Sequence, residues 1–260
     1  MLEHLDLLHG IAGLMVGILV GLTGVGGGSL MTPLLILMFG IKPETAVGTD
    51  LLFASITKMA GSAVHHQRET VDWHIMRRLA MGSVPAAIVT LIAVSTFGKL
   101  GKETGHVIMT VLGVMLIATA VATLAQKKIA VFAKSHDRLD DREALIPTVA
   151  LGVGLGVAVS ISSVGAGAIG VTVLLVLYPA LRVARIVGTD IAHAVPLTLV
   201  AGFGHWFIGD VDLWLLLNLL LGSLPGAVIG SMLSSRAPDH LLRPALAAVL
   251  VFSGWKLLTS

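Results

Sequence analysis

Cysteine is absent from the 260 residues, which excludes disulfides, thiol catalysis and cysteine-held iron–sulfur clusters. Charge is scarce as well: only 12% of residues are Asp, Glu, Lys or Arg, about half the share found in a soluble domain. The few basic residues sit in short loops and form no stripe that would hold a nucleic acid. His-Glu-x-x-His and Gly-x-Ser-x-Gly are both missing, so the metalloprotease and serine-hydrolase routes lack their motifs. A cationic leader is lacking too. Met1 to Asp6 carries Glu3 and Asp6 where a secretory signal needs Lys or Arg, and the first apolar stretch is therefore expected to be retained.

Hydrophobic residues make up 55% of the chain, and the mean hydropathy is +0.94. A soluble fold of this size cannot cover so much apolar surface with so few charges. Lipid is the expected solvent, and a cytosolic enzyme, a disordered chain and a nucleic-acid binder are excluded. A spanning helix needs roughly 20 apolar residues. On that ruler the apolar segments run 7–23, 29–40, 45–64, 75–97 and 104–125, then 145–162, 168–178, 186–207, 213–233 and 240–258. The second and seventh are too short to cross comfortably alone. The polar stretch from Gln126 to Glu143 reads as a surface linker. The expected organisation is an N-terminal transmembrane repeat over 1–125, a cytoplasmic linker over 126–144 and a C-terminal transmembrane repeat over 145–260.

The halves repeat. Val47-Gly-Thr-Asp50 returns as Val187-Gly-Thr-Asp190, and at that offset of 140 thirteen of 44 positions match without a gap. His65 meets His205, Asp72 meets Asp212, Ser83 meets Ser223 and Pro85 meets Pro225. One residue out of step, Val25-Gly-Gly-Gly28 faces Val164-Gly-Ala-Gly167, and Gly13, Gly17 and Gly21 face Gly152, Gly156 and Ser160. Five segments per copy is an odd number, so the copies are expected upside-down to each other. Counting cations agrees. With the linker in the cytoplasm, that side holds Arg68, Arg77, Arg78, Arg182, Arg185, Arg236 and Arg243 besides the linker's own, while outside are Lys42, Lys99, Lys102 and Lys256. Both termini fall outside.

Inverted repeats with matching short, glycine-interrupted segments point to a transporter site near mid-bilayer. The interruptions are Thr23 to Ser29 and Ser162 to Ala168. Each opens a short helix, with Ser29 a fair N-cap, whose amide groups and dipole can cradle an anion. The alternative is that the glycines only permit tight helix crossing, which is the better reading for the ladder Gly13, Gly17 and Gly21. Lys58 sits inside the third segment, where a cation costs at least a few kcal/mol unless partnered. Its partner is an anionic substrate or Asp50. Asp50 and Asp190, about one turn inside their segments, read either as proton carriers or as helix caps favoured by the dipole. His193 is either a proton relay with Asp190 or a neutral ring bonded to a carbonyl. His65, His66, His74 and His205 lack metal-ligand spacing. Pro85, Pro196 and Pro225 are expected to kink their helices. Gly165-Ala-Gly167-Ala-Ile-Gly170, with Asp190 about 20 residues on, matches the dinucleotide fingerprint only by accident, because no βαβ unit surrounds it.

Gly24-Val-Gly-Gly-Gly28, Pro33-Leu-Leu35 and Ala46-Val-Gly-Thr49, with their degenerate second copy, resemble the TauE/SafE sulfite exporter family of membrane permeases over about residues 10–255. The resemblance implies transport of small sulfur-containing anions such as sulfite, thiosulfate or sulfoacetate across a prokaryotic plasma membrane. It makes the glycine turn and the Gly48-Thr49 and Gly188-Thr189 pairs the candidate lining. The second turn departs from the triplet at Ala166.

The resulting expectation is an all-α polytopic membrane protein of two inverted-topology repeats of about five helical segments, each with a Gly-broken short helix or re-entrant hairpin. It is a proton-coupled carrier and not an enzyme. Gly26, Gly27, Gly28, Ser29, Ser162, Ser163, Gly165 and Gly167 would donate to the anion, Lys58 would add charge, and Thr49 and Thr189 would add hydroxyls. Asp50, Asp190 and His193 are the proton-coupling candidates. The partners are the sulfur anion, the bilayer and a second copy in a homodimer; no nucleic acid, cofactor or metal is expected. The rivals are an intramembrane aspartyl protease using Asp50 and Asp190, and a passive anion channel.

Overall fold

A computed structural model describes residues 7–23, 28–67, 69–97, 103–134, 142–234 and 239–260. All regular structure among them is helical. The order is α1 (Leu7–Thr23), α2 (Gly28–Phe39), α3 (Pro43–Gln67), α4 (Trp73–Phe97), α5 (Glu103–Lys134), α6 (Leu145–Ser162), α7 (Ala168–Leu177), α8 (Val183–Ile208), α9 (Leu213–Ser234) and α10 (Asp239–Leu258). Counting described residues alone, five helices, α4, α5, α6, α8 and α9, are long and apolar enough to cross a membrane. Large apolar side chains cover the outer faces, among them Ile146, Phe207 and Phe252, as expected where lipid is the solvent.

Local chemistry sets the ends. Gly40, at φ +64°, stops α2, and Pro43 opens α3, where its missing N–H and fixed φ suit a first helical position. Gly209, at φ 96°, ends α8 by donating its N–H to the carbonyls of His205 and Trp206. Asp72 and Asp212 sit just before α4 and α9. Asp72 Oδ1 accepts from the N–H groups of His74 and Ile75, and Asp212 Oδ1 accepts from that of Leu215. These are the real capping aspartates. The capping reading of Asp50 and Asp190 is corrected, because α3 and α8 start seven residues before them. Polar first turns extend both helices beyond their apolar runs. α5 likewise continues to Lys134, into the polar stretch.

The halves make matching, exchanged contacts. α1 packs on α9 as α6 packs on α4; α5 with α7 mirrors α10 with α2; α3 packs on α8 and α5 on α10. Small residues allow the closest of these. A Cβ on Gly13 or Gly17 would overlap the carbonyls of Leu219 or Ser223, and one on Gly152 or Gly156 those of Leu79 or Ser83. The contacts repeat at the offsets read from the sequence. Packing is therefore the role of Gly13 and Gly17. α8 is the most enclosed of the five long apolar helices: 61% of its apolar window is buried, against 33–39% in the others. The core beside it joins α3, α6 and α8 through Val47, Leu51, Leu155, Val159, Leu197 and Ala201.

Gly156→Ala should destabilise by about 1–3 kcal/mol, the usual cost of overpacking. Gly154→Ala, on the open face of the same helix, should be neutral or stabilising by under about 1 kcal/mol. Thermal unfolding of the two purified variants measures the difference.

Candidate functional site

Two reciprocal pins fasten the halves to each other. The Asp72 N–H donates to Thr189 Oγ1 at 2.8 Å, and the Asp212 N–H donates to Thr49 Oγ1 at 3.1 Å. Both donor and acceptor obey the 140-residue offset. Beside the first pin, Arg185 Nη2 lies 3.1 Å from Asp72 Oδ2. Beside the second, His205 Nε2 donates to the Ser160 carbonyl at 2.9 Å, and its Nδ1 is 3.4 Å from Asp210 Oδ2. Gly48 has no side chain because the Asp210 carbonyl and His205 occupy that space. The Thr189 hydroxyl also donates to the Arg185 carbonyl at 2.7 Å. Thr49 and Thr189 therefore serve as pins, and their hydroxyls are engaged there. A recess of about 300 Å³ lined by His66, Glu69, Val71, Trp73 and Arg185 opens beside the first pin.

The second glycine turn is described in full. Ser163 ends α6 at φ 58°, and Gly165 and Gly167 adopt φ 125° and 127°, where glycine carries no Cβ penalty. Ser162 shapes the turn: its hydroxyl donates to the Ala158 carbonyl at 2.7 Å and accepts the Val164 N–H at 3.2 Å. A Cβ on Gly167 would meet nothing within 4 Å. In the first turn of α7, Val171 N–H reaches Gly167 O at 2.9 Å and Gly170 N–H reaches Gly165 O at 3.4 Å, leaving those of Ala168 and Ile169 without an intrahelical acceptor. The first turn's Gly26 and Gly27 lie outside the described residues. Gly28 begins α2, so Ser29 is inside that helix and is not its N-cap. Val164 of the second turn shares a core cluster with Leu30 and Met31 of α2.

Asp50 and Asp190 are both eighth in their helices and at most 1% exposed. The Thr32 hydroxyl on α2 donates to Asp50 Oδ2, and the Ser163 hydroxyl of the second turn also faces this carboxylate. Elements of both halves thus converge on Asp50. Asp190 meets α7 instead. The Gly167 N–H faces it, and Gly170 leaves room for its Oδ1. Of the residues that imitate a dinucleotide fingerprint, Gly165 and Gly167 form the turn before α7 and Gly170 lies in its first turn, Gly167 and Gly170 being beside the Asp190 carboxylate. Lys58, half-buried on α3, lies within electrostatic reach of both acids. It forms no hydrogen bond or ion pair with another described residue. A direct Asp50–Lys58 bridge is therefore not formed. His193 Nε2 bonds to Ser83 Oγ at 2.8 Å, so its partner is a hydroxyl, neither Asp190 nor a backbone carbonyl. Asp50 Oδ1, Asp190 Oδ1, Ser163 Oγ and His193 Nδ1 are buried without a hydrogen-bonding partner. Buried polar atoms are normally hydrogen-bonded, so these four single out the interior around the two acids as the candidate site.

Thr32, Ser83 and Gly170 belong to this site although motif reading passed over them as ligands. Thr32 carried a signal, as a hydroxyl one turn after the glycine run.

The sulfite exporter TauE/SafE family model matches residues 9–257. This chain belongs to the TauE/SafE family. Similar to it are the probable membrane transporter protein YjnA of Bacillus subtilis, 38% identical over 95% of this chain and 98% of the relative, and the probable membrane transporter protein YdhB of the same organism, 26% identical over 94% and 96%. A probable membrane transporter protein of Methanocaldococcus jannaschii is 27% identical over 94% of this chain and 92% of its own. No solved structure matches at a significant level. The TauE/SafE match spans both halves, so the pins and the interior acids all fall within the family's own region.

Thr189→Val leaves the Asp72 N–H without its acceptor and should cost about 1–3 kcal/mol; Thr189→Ser should restore most of it. Melting of the purified variants in detergent separates these outcomes.

Proposed function

We propose that this protein is a secondary transporter of small sulfur-containing anions (sulfite, thiosulfate, or an organosulfonate such as sulfoacetate), working by alternating access and coupled to protons. The observation that carries the reading is Lys58: an ammonium inside a membrane helix, between two buried carboxylates, bonded directly to neither. A cation in hydrocarbon is retained for a partner, and a small anion supplies one. The open first turn of α7 adds amide donors and the positive end of a helix dipole. Membership of the TauE/SafE family and the transporter names of the relatives support the same class.

The chain sits in a prokaryotic plasma membrane with both termini outside and its halves inverted. Long-range contacts favour that alternation. Asp72 with Arg185 and Arg243 with Gln126 join residues assigned to the cytoplasmic side, while Asp212 with Thr49 joins residues assigned to the outer side. α1 runs parallel to α9, and α4 to α6, as inverted copies require. The pins at opposite ends of the α3–α8 pair are suited to opening in turn as one half rocks against the other. The protease reading loses ground. No hydrogen bond joins Asp50 to Asp190, and each faces a different short helix, which favours separate roles over a dyad sharing a proton.

Purified protein in liposomes, given radiolabelled sulfite, thiosulfate and sulfoacetate with and without a pH gradient, tests the reading. Saturable uptake driven by the gradient is expected; flux that neither saturates nor responds to pH points to a passive channel. Lys58→Ala should lower uptake about tenfold or more, since a charge-assisted contact contributes roughly 1.5–3 kcal/mol. Unchanged uptake and affinity would reject Lys58 as a ligand.

A further inference from the structure

The second glycine turn already holds a carboxylate where an anion would bind. Asp190 is 1% exposed; the Gly167 N–H faces it, and a Cβ on Gly170 would overlap its Oδ1. That oxygen has no hydrogen-bonding partner. Lys58 lies within electrostatic reach of Asp190 as well as of Asp50. Asp190 therefore sits at the start of α7 and, without a direct bond, within electrostatic reach of the ammonium, the two groups that the reading above assigns to the substrate. The repeat-equivalent acid is placed differently. Asp50 receives the Thr32 hydroxyl and faces that of Ser163, an arrangement suited to a carboxylate that only accepts.

We propose that Asp190 is a tethered competitor of the transported anion: ionised, it holds the α7 N-terminus and Lys58, and on taking a proton it releases both. The inference rests on the anion site proposed above and names the device that couples it to protons. A proton from solvent adds to one Asp190 oxygen, giving a neutral carboxyl, and an anion replaces the lost negative charge. For a monoanion the net charge of the cluster is unchanged; for a dianion such as thiosulfate or sulfoacetate it becomes more negative by one charge instead of two. Burying a second uncompensated anion beside Asp50 and an ionised Asp190 would cost several kcal/mol.

The groups facing Asp190 can be named element by element. α3 contributes Lys58 and Asp50. α4 carries its charges in its first two turns, with Arg77 exposed and Arg78 directed to Tyr178 at 3.3 Å. α6 and α7 contain no titratable side chain. On α8 itself, His193 is turned to Ser83, while Arg185 and His205 belong to the two pins.

The test uses the full chain in detergent. Binding of radiolabelled thiosulfate and sulfoacetate, whose own charges stay constant near neutral pH, is measured across neutral pH for the wild type, Asp190→Asn and Asp50→Asn. In the wild type affinity should fall with rising pH, by up to about tenfold per unit for one linked proton. Asp190→Asn should bind independently of pH and, at the alkaline end, about tenfold tighter than the wild type. An Asp190→Asn protein that keeps the wild-type pH slope, or binds more weakly at every pH, overturns the proposal. Infrared titration of protonated carboxyls gives a second readout that needs no ligand. A band that grows as pH falls should be missing in Asp190→Asn and present in Asp50→Asn; its survival in Asp190→Asn overturns the assignment. Should the wild type bind neither anion at any pH, these two are rejected as substrates, and the infrared titration still decides whether Asp190 carries the proton.

Discussion

A charged group inside hydrocarbon must be compensated within the protein, and much of this molecule's interior follows from that constraint. Lys58, Asp50 and Asp190 lie well within helices that otherwise bury apolar side chains. Each is compensated differently: a hydroxyl for Asp50, a helix start for Asp190, and shared attraction without direct contact for Lys58. The short helices α2 and α7 are the means. α2 supplies the Thr32 hydroxyl, and the break before α7 exposes backbone donors that an unbroken helix would have bonded internally.

Close helix packing makes this possible. α4 and α6, and α1 and α9, approach until backbone carbonyls fill the space where side chains would stand. With no hydrophobic drive between helices in lipid, such contacts are held by dispersion and by the small residues that permit them. Duplication gives each half the other's partner, so one set of contacts is made twice. The departures from symmetry carry chemistry: Lys58 has Thr198 as its counterpart, and His193 has Phe53. Thr198 returns its hydroxyl to the Ala194 carbonyl, and Phe53 is buried core.

The duplication also shows how far pattern reading reaches. The ten helices lie close to the apolar segments, and α1 and α6 coincide with them, because hydropathy follows the lipid boundary that helices must cross. α3, α5 and α8 outrun their segments where polar turns project beyond hydrocarbon. That is why Asp50 and Asp190 resembled caps while the capping fell to Asp72 and Asp212. Thr49 and Thr189 stood out through the repeated Gly-Thr pair, yet their prominence reflects a pin between halves. A repeated motif marks a repeated contact as readily as a binding group.

The order of residues by itself determined the membrane class, the number of helices, the duplication and the shortened segments, since each depends on local apolarity or on comparing one stretch with another. Tertiary structure alone decided that Thr32 reaches Asp50, that Gly170 makes room for Asp190, that His193 turns to Ser83, and that Lys58 stands between two acids without touching either. These relations join residues far apart in the chain on different helices, and only the crossing of those helices sets the distances on which hydrogen bonds and Coulomb forces depend.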